Sequence, residues 1–145
     1  MAGFGDTFEN DLCKLIFNAV AIANVADNAA AAPLTNLWLA LHTADPTDAG
    51  TQGASEGGYA QYTRIAVARS TAGWVVSANS VSPVANADFP TNTSTSTGTF
   101  TYASIGVTSA STSSKILAYG AISPGINYGV GVIPRITTGS SFTLD

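Results

Sequence analysis

The sequence predicts a mainly β protein: an N-terminal α-helix followed by an antiparallel, jelly-roll-like β-sandwich of about 7–9 strands. Two observations carry that reading. Apolar residues recur at helical spacing only near the start of the chain. From Leu34 onward the pattern changes to alternation, broken at short intervals by Gly, Ser, Asn and Pro.

The helix takes Phe8, Leu12, Leu15, Ile16, Ala19, Val20 and Ala23 as one apolar stripe, widened by Cys13 and Phe17. Asp6 with Glu9 three residues on has the spacing of a capping box. The expected end lies between Asn24 and Asp27, and the Ala29–Ala32 run reads as a loose turn or an extended arm. Pro33 bars helical continuation across Ala32. Residues 1–33 therefore form a helix and arm, and residues 34–145 the β-domain.

Leu37, Leu39 and Leu41 alternate with Trp38, Ala40 and His42, the pattern of a strand covered on both faces. The stretch from Pro46 to Gly58 is a long polar loop without an apolar anchor, of the kind that makes contacts. Further strands are expected at Tyr62–Ala68, Gly73–Ser77, Ser80–Val84, Thr99–Thr108, Ile116–Ala121, Val130–Ile136 and Ser141–Leu144. The polar Thr91–Thr99 tract between them reads as an exposed loop. Trp38 and Trp74 are expected to fill the core.

Charged residues make up only 10% of the 145-residue chain, against about 25% in ordinary soluble domains. A surface so poor in charge is expected to lie partly against other subunits. The net charge is −4, and the five basic residues, Lys14, Arg64, Arg69, Lys115 and Arg135, are scattered. That distribution argues against a nucleic-acid partner, which requires clustered Lys and Arg. No membrane partner is expected either, since no apolar run approaches a span and the start lacks the basic region of a signal peptide. The single cysteine, Cys13, excludes an intrachain disulfide and reads as a small buried hydrophobe.

Catalytic and cofactor motifs are sparse. His42 is the lone histidine, so any nucleophile–base scheme must run through it; its place at a strand end favours a structural role. One His and one Cys cannot build a zinc centre. Asp45, Asp48 and Glu56 crowd a Gly-rich loop, yet lack the alternating ligand spacing of a calcium loop. Neither Gly57-Gly58 nor Gly129-Val130-Gly131 matches a phosphate loop. Paired carboxylates for glycoside hydrolysis find no support, since no acid falls within an expected strand. The aromatics offer a sugar platform as an alternative to core packing. The reading is no enzyme, no cofactor, no catalytic residue and no metal site.

Several landmarks in order give the chain a likeness. Leu37-Trp38-Leu39-Ala40-Leu41-His42-Thr43-Ala44-Asp45-Pro46 is followed by Gly57-Gly58-Tyr59, Arg64-Ile65-Ala66-Val67 and Gly73-Trp74. Then come Ile105-Gly106-Val107, Ile116-Leu117-Ala118-Tyr119-Gly120-Ala121-Ile122 and a closing stretch from Gly139 to Asp145. This ordered set resembles a family of small tailed-phage structural proteins, labelled tail-fibre-like, head-fibre or capsid-decoration proteins. Ser109 and Ser113-Ser114 depart from its pattern.

The resemblance implies a virion structural protein made in the host bacterial cytoplasm. Of its two expected roles, the first is a capsid decoration (cement) protein on the outer shell, bridging neighbouring major capsid subunits. The alternative is a tail or fibre component that takes part in host attachment. Size favours the first, because a chain this short has no fibre shaft. The expected partners are the major capsid protein and further copies of the chain, a trimer in the first instance. The expected assembly contacts are Phe8, Leu12 and Ile16 on the helix and Asp45, Asp48 and Glu56 in the loop.

Overall fold

A computed structural model describes residues 6–23, 25–26, 32–110 and 114–144. It shows a mainly β protein with one N-terminal helix and, among the described residues, nine strands in three antiparallel sheets. The elements are α1 (Asp6–Asn18), β1 (Asn36–His42), β2 (Ile65–Ala68), β3 (Trp74–Ser77), β4 (Ser80–Pro83), β5 (Ala87–Asp88), β6 (Gly98–Gly106), β7 (Ile116–Tyr128), β8 (Arg135–Ile136) and β9 (Phe142–Thr143). Contacts group them into two compact units: Met1–Asn36 with Val67–Ala85 and Thr137–Asp145, and Leu37–Ala66 with Asn86–Ile136.

In the first unit, α1 packs on β3 and β4. The line it buries is Glu9, Cys13 and Phe17, four residues apart, while Phe8, Leu12 and Ile16 remain half-buried. Phe17 meets Trp74 edge-on with ring centroids 5.2 Å apart. The helix ends at Asn18, earlier than the apolar stripe predicts. Two causes stop it. Ala19 takes a left-handed backbone (φ 57°), which turns the chain out of the helix. Arg69 then captures two of the last carbonyls, donating from Nε to Ile16 O and from Nη2 to Leu15 O, both at 2.6 Å. The Asp6 side chain, needed for the capping box, and Ala29–Ala31 of the expected arm lie outside the described residues.

The β3–β4 hairpin falls where the sequence places it. Its register pairs Ser77 with Ser80 across a two-residue turn whose first residue, Ala78, has φ 53°. β9 pairs with β4, and Asn79 Nδ2 donates to Leu144 O at 2.8 Å.

The second unit is built on the sheet of order β2-β1-β6-β7. β1 pairs with β6 from Trp38↔Gly106 to His42↔Tyr102. Leu37, Leu39, Ala40, Leu41 and His42 are all buried, as expected of a strand covered on both faces. Trp38 is only half-buried, so of the two tryptophans Trp74 alone is a core residue. β6 pairs with β7, and the register slips between Phe100 and Tyr102 and again between Ile105 and Gly106. The first slip lets β7 run on through Pro124 to Tyr128, seven residues past its expected end at Ala121. As an edge strand, β7 tolerates a residue without an N–H. Conversely, Val130–Pro134 is not strand, and β5, which the sequence reading misses, pairs with β8 through Ala87↔Ile136 and Asp88↔Arg135. β5 thus brings one acid, Asp88, into a strand.

Candidate functional site

The segment between β1 and β2 forms the most organised polar site of the second unit. Residues 55–57 run back antiparallel to the end of β1: Thr43 N donates to Ser55 O at 2.9 Å and Gly57 N to Leu41 O at 3.1 Å. This fold-back places Glu56 beside Arg64. Arg64 grips both carboxylate oxygens, Nε to Oε1 at 2.7 Å and Nη2 to Oε2 at 2.8 Å. The two side chains are 1% and 4% exposed. A bidentate, desolvated pair of this kind is strong only because its remaining hydrogen-bonding capacity is also met. Here Arg64 Nη1 donates to Thr108 O (2.9 Å) and Ser114 Oγ (3.0 Å).

Gln52 extends the network. Fully buried, it donates from Nε2 to Trp38 O at 2.7 Å, and its own N–H reaches Ser114 O at 2.9 Å. Gly106 makes room for it, since a Cβ there would lie 2.0 Å from Gln52 Oε1. The loop therefore has anchors after all, in Gln52, Glu56 and the buried Pro46. Hydropathy patterns miss two of these because they are polar.

His42 is fully buried beside this network, with Nδ1 2.8 Å from Ala54 O and Nε2 2.7 Å from Ser104 Oγ. A carbonyl at Nδ1 fixes that nitrogen as the donor, so Nε2 accepts from the serine. Burial holds the imidazole pKa below its ordinary value. The Ser104–His42 distance is that of a nucleophile and its base, but both residues are fully buried. The pair braces β1 against β6.

Beside the buried pair, Gly53, Glu56, Gly57, Gly58, Tyr59 and Tyr62 line an open depression of about 310 Å³. Its two tyrosines belong to a cluster of aromatic rings. Tyr62 stacks on Phe89 at 5.6 Å, and Phe100 lies 4.6 Å from Tyr128. Tyr62 Oη accepts from Leu41 N at 2.7 Å and Tyr59 Oη donates to Pro90 O at 2.6 Å. Burial raises both phenol pKa values, that of Tyr59 to about 12. Gly58 is required where it stands, because a Cβ would meet Tyr128 Oη at 2.3 Å.

The residues singled out from sequence do not converge. Phe8, Leu12 and Ile16 lie on α1. Asp45 is exposed and turns the chain by accepting from Thr47 N at 2.8 Å. Asp48 is exposed and accepts from the Tyr119 hydroxyl. Glu56 faces Arg64. Among the described residues no three His, Cys, Asp or Glu side chains gather as a metal-ligand set, and no helix is long and apolar enough to cross a membrane. The Thr91–Thr99 tract is organised around buried Asn92, which donates to Ser96 O at 2.7 Å and accepts from Ser94 N and Oγ.

A charge-poor β chain whose Glu56–Arg64 pair, Gln52 and His42 are each tied into its own strands and loops has the anatomy of a structural protein. Comparison with protein families agrees. The profile described as podophage GP4 fiber I protein gp80 matches residues 3–142, and the chain belongs to that family of tailed-phage structural, fibre-type proteins. No curated protein matches it.

Proposed function

We propose that the protein is a fibre-type structural component of a podophage particle. The family match over nearly the whole chain carries this reading. It reverses the order of the two roles expected from sequence, where shell decoration stood first because the chain is too short to hold a shaft. That size argument assumes one chain per fibre. A fibre assembled from several polypeptides needs only a rigid module from each, and the braced sheet around Glu56–Arg64 suits such a module. With only 10% charged residues, attachment to the particle rests on apolar and backbone contacts more than on ion pairs, and persists in high salt. The half-buried Phe8, Leu12 and Ile16 of α1 are candidates for part of that contact.

Copy number tests the proposal. Quantitative mass spectrometry of purified virions, with antibody labelling seen by electron microscopy, is expected to give tens of copies or fewer in projecting fibres. Hundreds of copies spread over the head would return the protein to capsid decoration.

A further inference from the structure

The depression between Gly53 and Tyr62 is polar, neutral and held in place. Polar atoms make up most of its lining. Glu56 brings a carboxylate whose charge Arg64 cancels through two short bonds, so the hollow favours neither a cation nor an anion. Its surroundings are uncharged as well: no Asp, Glu, Lys or Arg occurs from Gly57 to Thr63, from Phe89 to Val107 or from Ile116 to Pro134. Three bonds fix the walls. Gly57 N donates to Leu41 O at 3.1 Å, Tyr59 Oη to Pro90 O at 2.6 Å and Thr93 N to Gln61 Oε1 at 3.2 Å. A site fixed in advance gives up little entropy when a ligand enters.

Hydrogen-bonding capacity is left over. The N–H groups of Gly53 and Gly58 make no hydrogen bond among the described residues. Neither does Tyr128 Oη, although Tyr128 is only 8% exposed. That hydroxyl borders Gly58, where a Cβ would lie 2.3 Å from it.

We propose that the depression binds the ring of a neutral saccharide. The hydroxyls of a pyranose both donate and accept, so they answer the N–H groups and the neutralised Glu56 carboxylate together. Its C–H face suits the half-buried ring of Tyr62. Size agrees, since about 310 Å³ lies at the small end of ligand pockets, room for roughly one or two such rings. An apolar ligand would leave the polar lining unmatched. The inference rests on the depression alone and not on the fibre-type role, so either can fail without the other.

Nuclear magnetic resonance titration of the isotope-labelled full chain tests it. The probes are D-glucose, D-galactose, D-mannose and short oligomers of each. At least one is expected to bind, the single ring with roughly millimolar affinity, and to shift the amides of residues 53–59. A tighter oligomer marks a glycan chain as the ligand and equal affinity a free or terminal sugar; either supports the site. The uronate and amino-sugar counterparts are expected to bind at least about threefold more weakly, because a neutral hollow does not repay the desolvation of a charge. Tyr128→Phe keeps the ring and removes the hydroxyl, and is expected to weaken binding at least about threefold with the circular dichroism unchanged. Four results would overturn the proposal: no binding up to roughly 100 mM sugar, shifts confined to other surfaces, a charged counterpart binding as tightly as the neutral sugar, or a folded Tyr128→Phe binding like the parent.

Discussion

Arg64 and Glu56 form a two-pronged ion pair at 2.7 and 2.8 Å, with both side chains withdrawn from water. Glu56 stands eight positions before Arg64, on the fold-back that lays residues 55–57 along β1. The pair thus turns a Gly-rich connection into a fixed part of the sheet. Buried pairs cost desolvation, and they persist where every polar group around them is matched, as Thr108, Ser114 and Tyr62 do here.

Breaking one member should therefore hurt more than removing both. Glu56→Ala leaves a buried guanidinium and is expected to cost about 3–5 kcal/mol, while Glu56→Leu with Arg64→Met is expected to recover most of that loss. Urea unfolding of the two variants beside the parent measures the difference. Equal destabilisation in both would show that packing, not the uncompensated charge, dominates.

Arg69 acts at a distance in sequence to end α1. Arg69→Ala removes two charge-assisted bonds to Leu15 O and Ile16 O and is expected to lower stability by about 1.5–3 kcal/mol. Arg69→Lys, which lacks the fork, is expected to restore less than half. Thermal unfolding followed at a helix band, with native-state hydrogen exchange at residues 14–18, reads both the global and the local effect.

The two sides of α1 should respond differently to truncation. Phe17→Ala empties the contact with Trp74 and is expected to cost about 3–5 kcal/mol. Leu12→Ser and Ile16→Ser, on the half-buried side, are expected to cost about 1 kcal/mol or less each. If that side touches the particle, the serine variants fold yet fail to incorporate into virions, which a pull-down on assembled particles detects.

His42 predicts a pH dependence of known sign. Burial lowers its folded pKa below the ordinary 6.5, so below that pH the unfolded chain binds the extra proton first. Stability is therefore full above pH 6.5 and declines as pH falls toward the folded pKa, at no more than about 1.4 kcal/mol per pH unit. The melting temperature between pH 7.5 and 5, above the carboxylate range, checks this, and His42→Gln is expected to flatten the slope.

Gly106 and Gln52 compete for one volume. Gly106→Ala is expected to drive the Gln52 amide off Trp38 O and to cost about 1–3 kcal/mol. Adding Gln52→Ala removes the clash, so the double variant is expected to be more stable than the sum of the singles. A double-mutant cycle by chemical denaturation gives the coupling.

Local rules carried much of the fold. Leucine alternation located β1 to within a few residues, and the Trp74–Ser77 and Ser80–Pro83 strands with their two-residue turn came from pattern alone. The sequence misplaced features set by partners far along the chain. α1 stops where Arg69 reaches it, and β7 continues past Pro124 because the register slip against β6 leaves residues 122–125 out of the ladder, so no N–H is required there. Trp38, by contrast, sits half-buried although tryptophan is usually a core residue.

By itself the sequence determined the class. Period and turn chemistry specified a helix followed by antiparallel strands, scarcity of charge pointed to a structural role, and the order of landmarks from Leu37 to the chain's end pointed to tailed-phage structural proteins. Only the tertiary structure decided what the polar residues do. In a string of letters Glu56 reads as a loop contact, His42 as a strand-end histidine of structural role, and Gln52 carries no signal. Their meaning depends on Arg64, Trp38 and Ser104, and residues brought together across 8 to 62 positions leave no periodic trace, because a hydrogen bond fixes distance in space and not spacing in sequence.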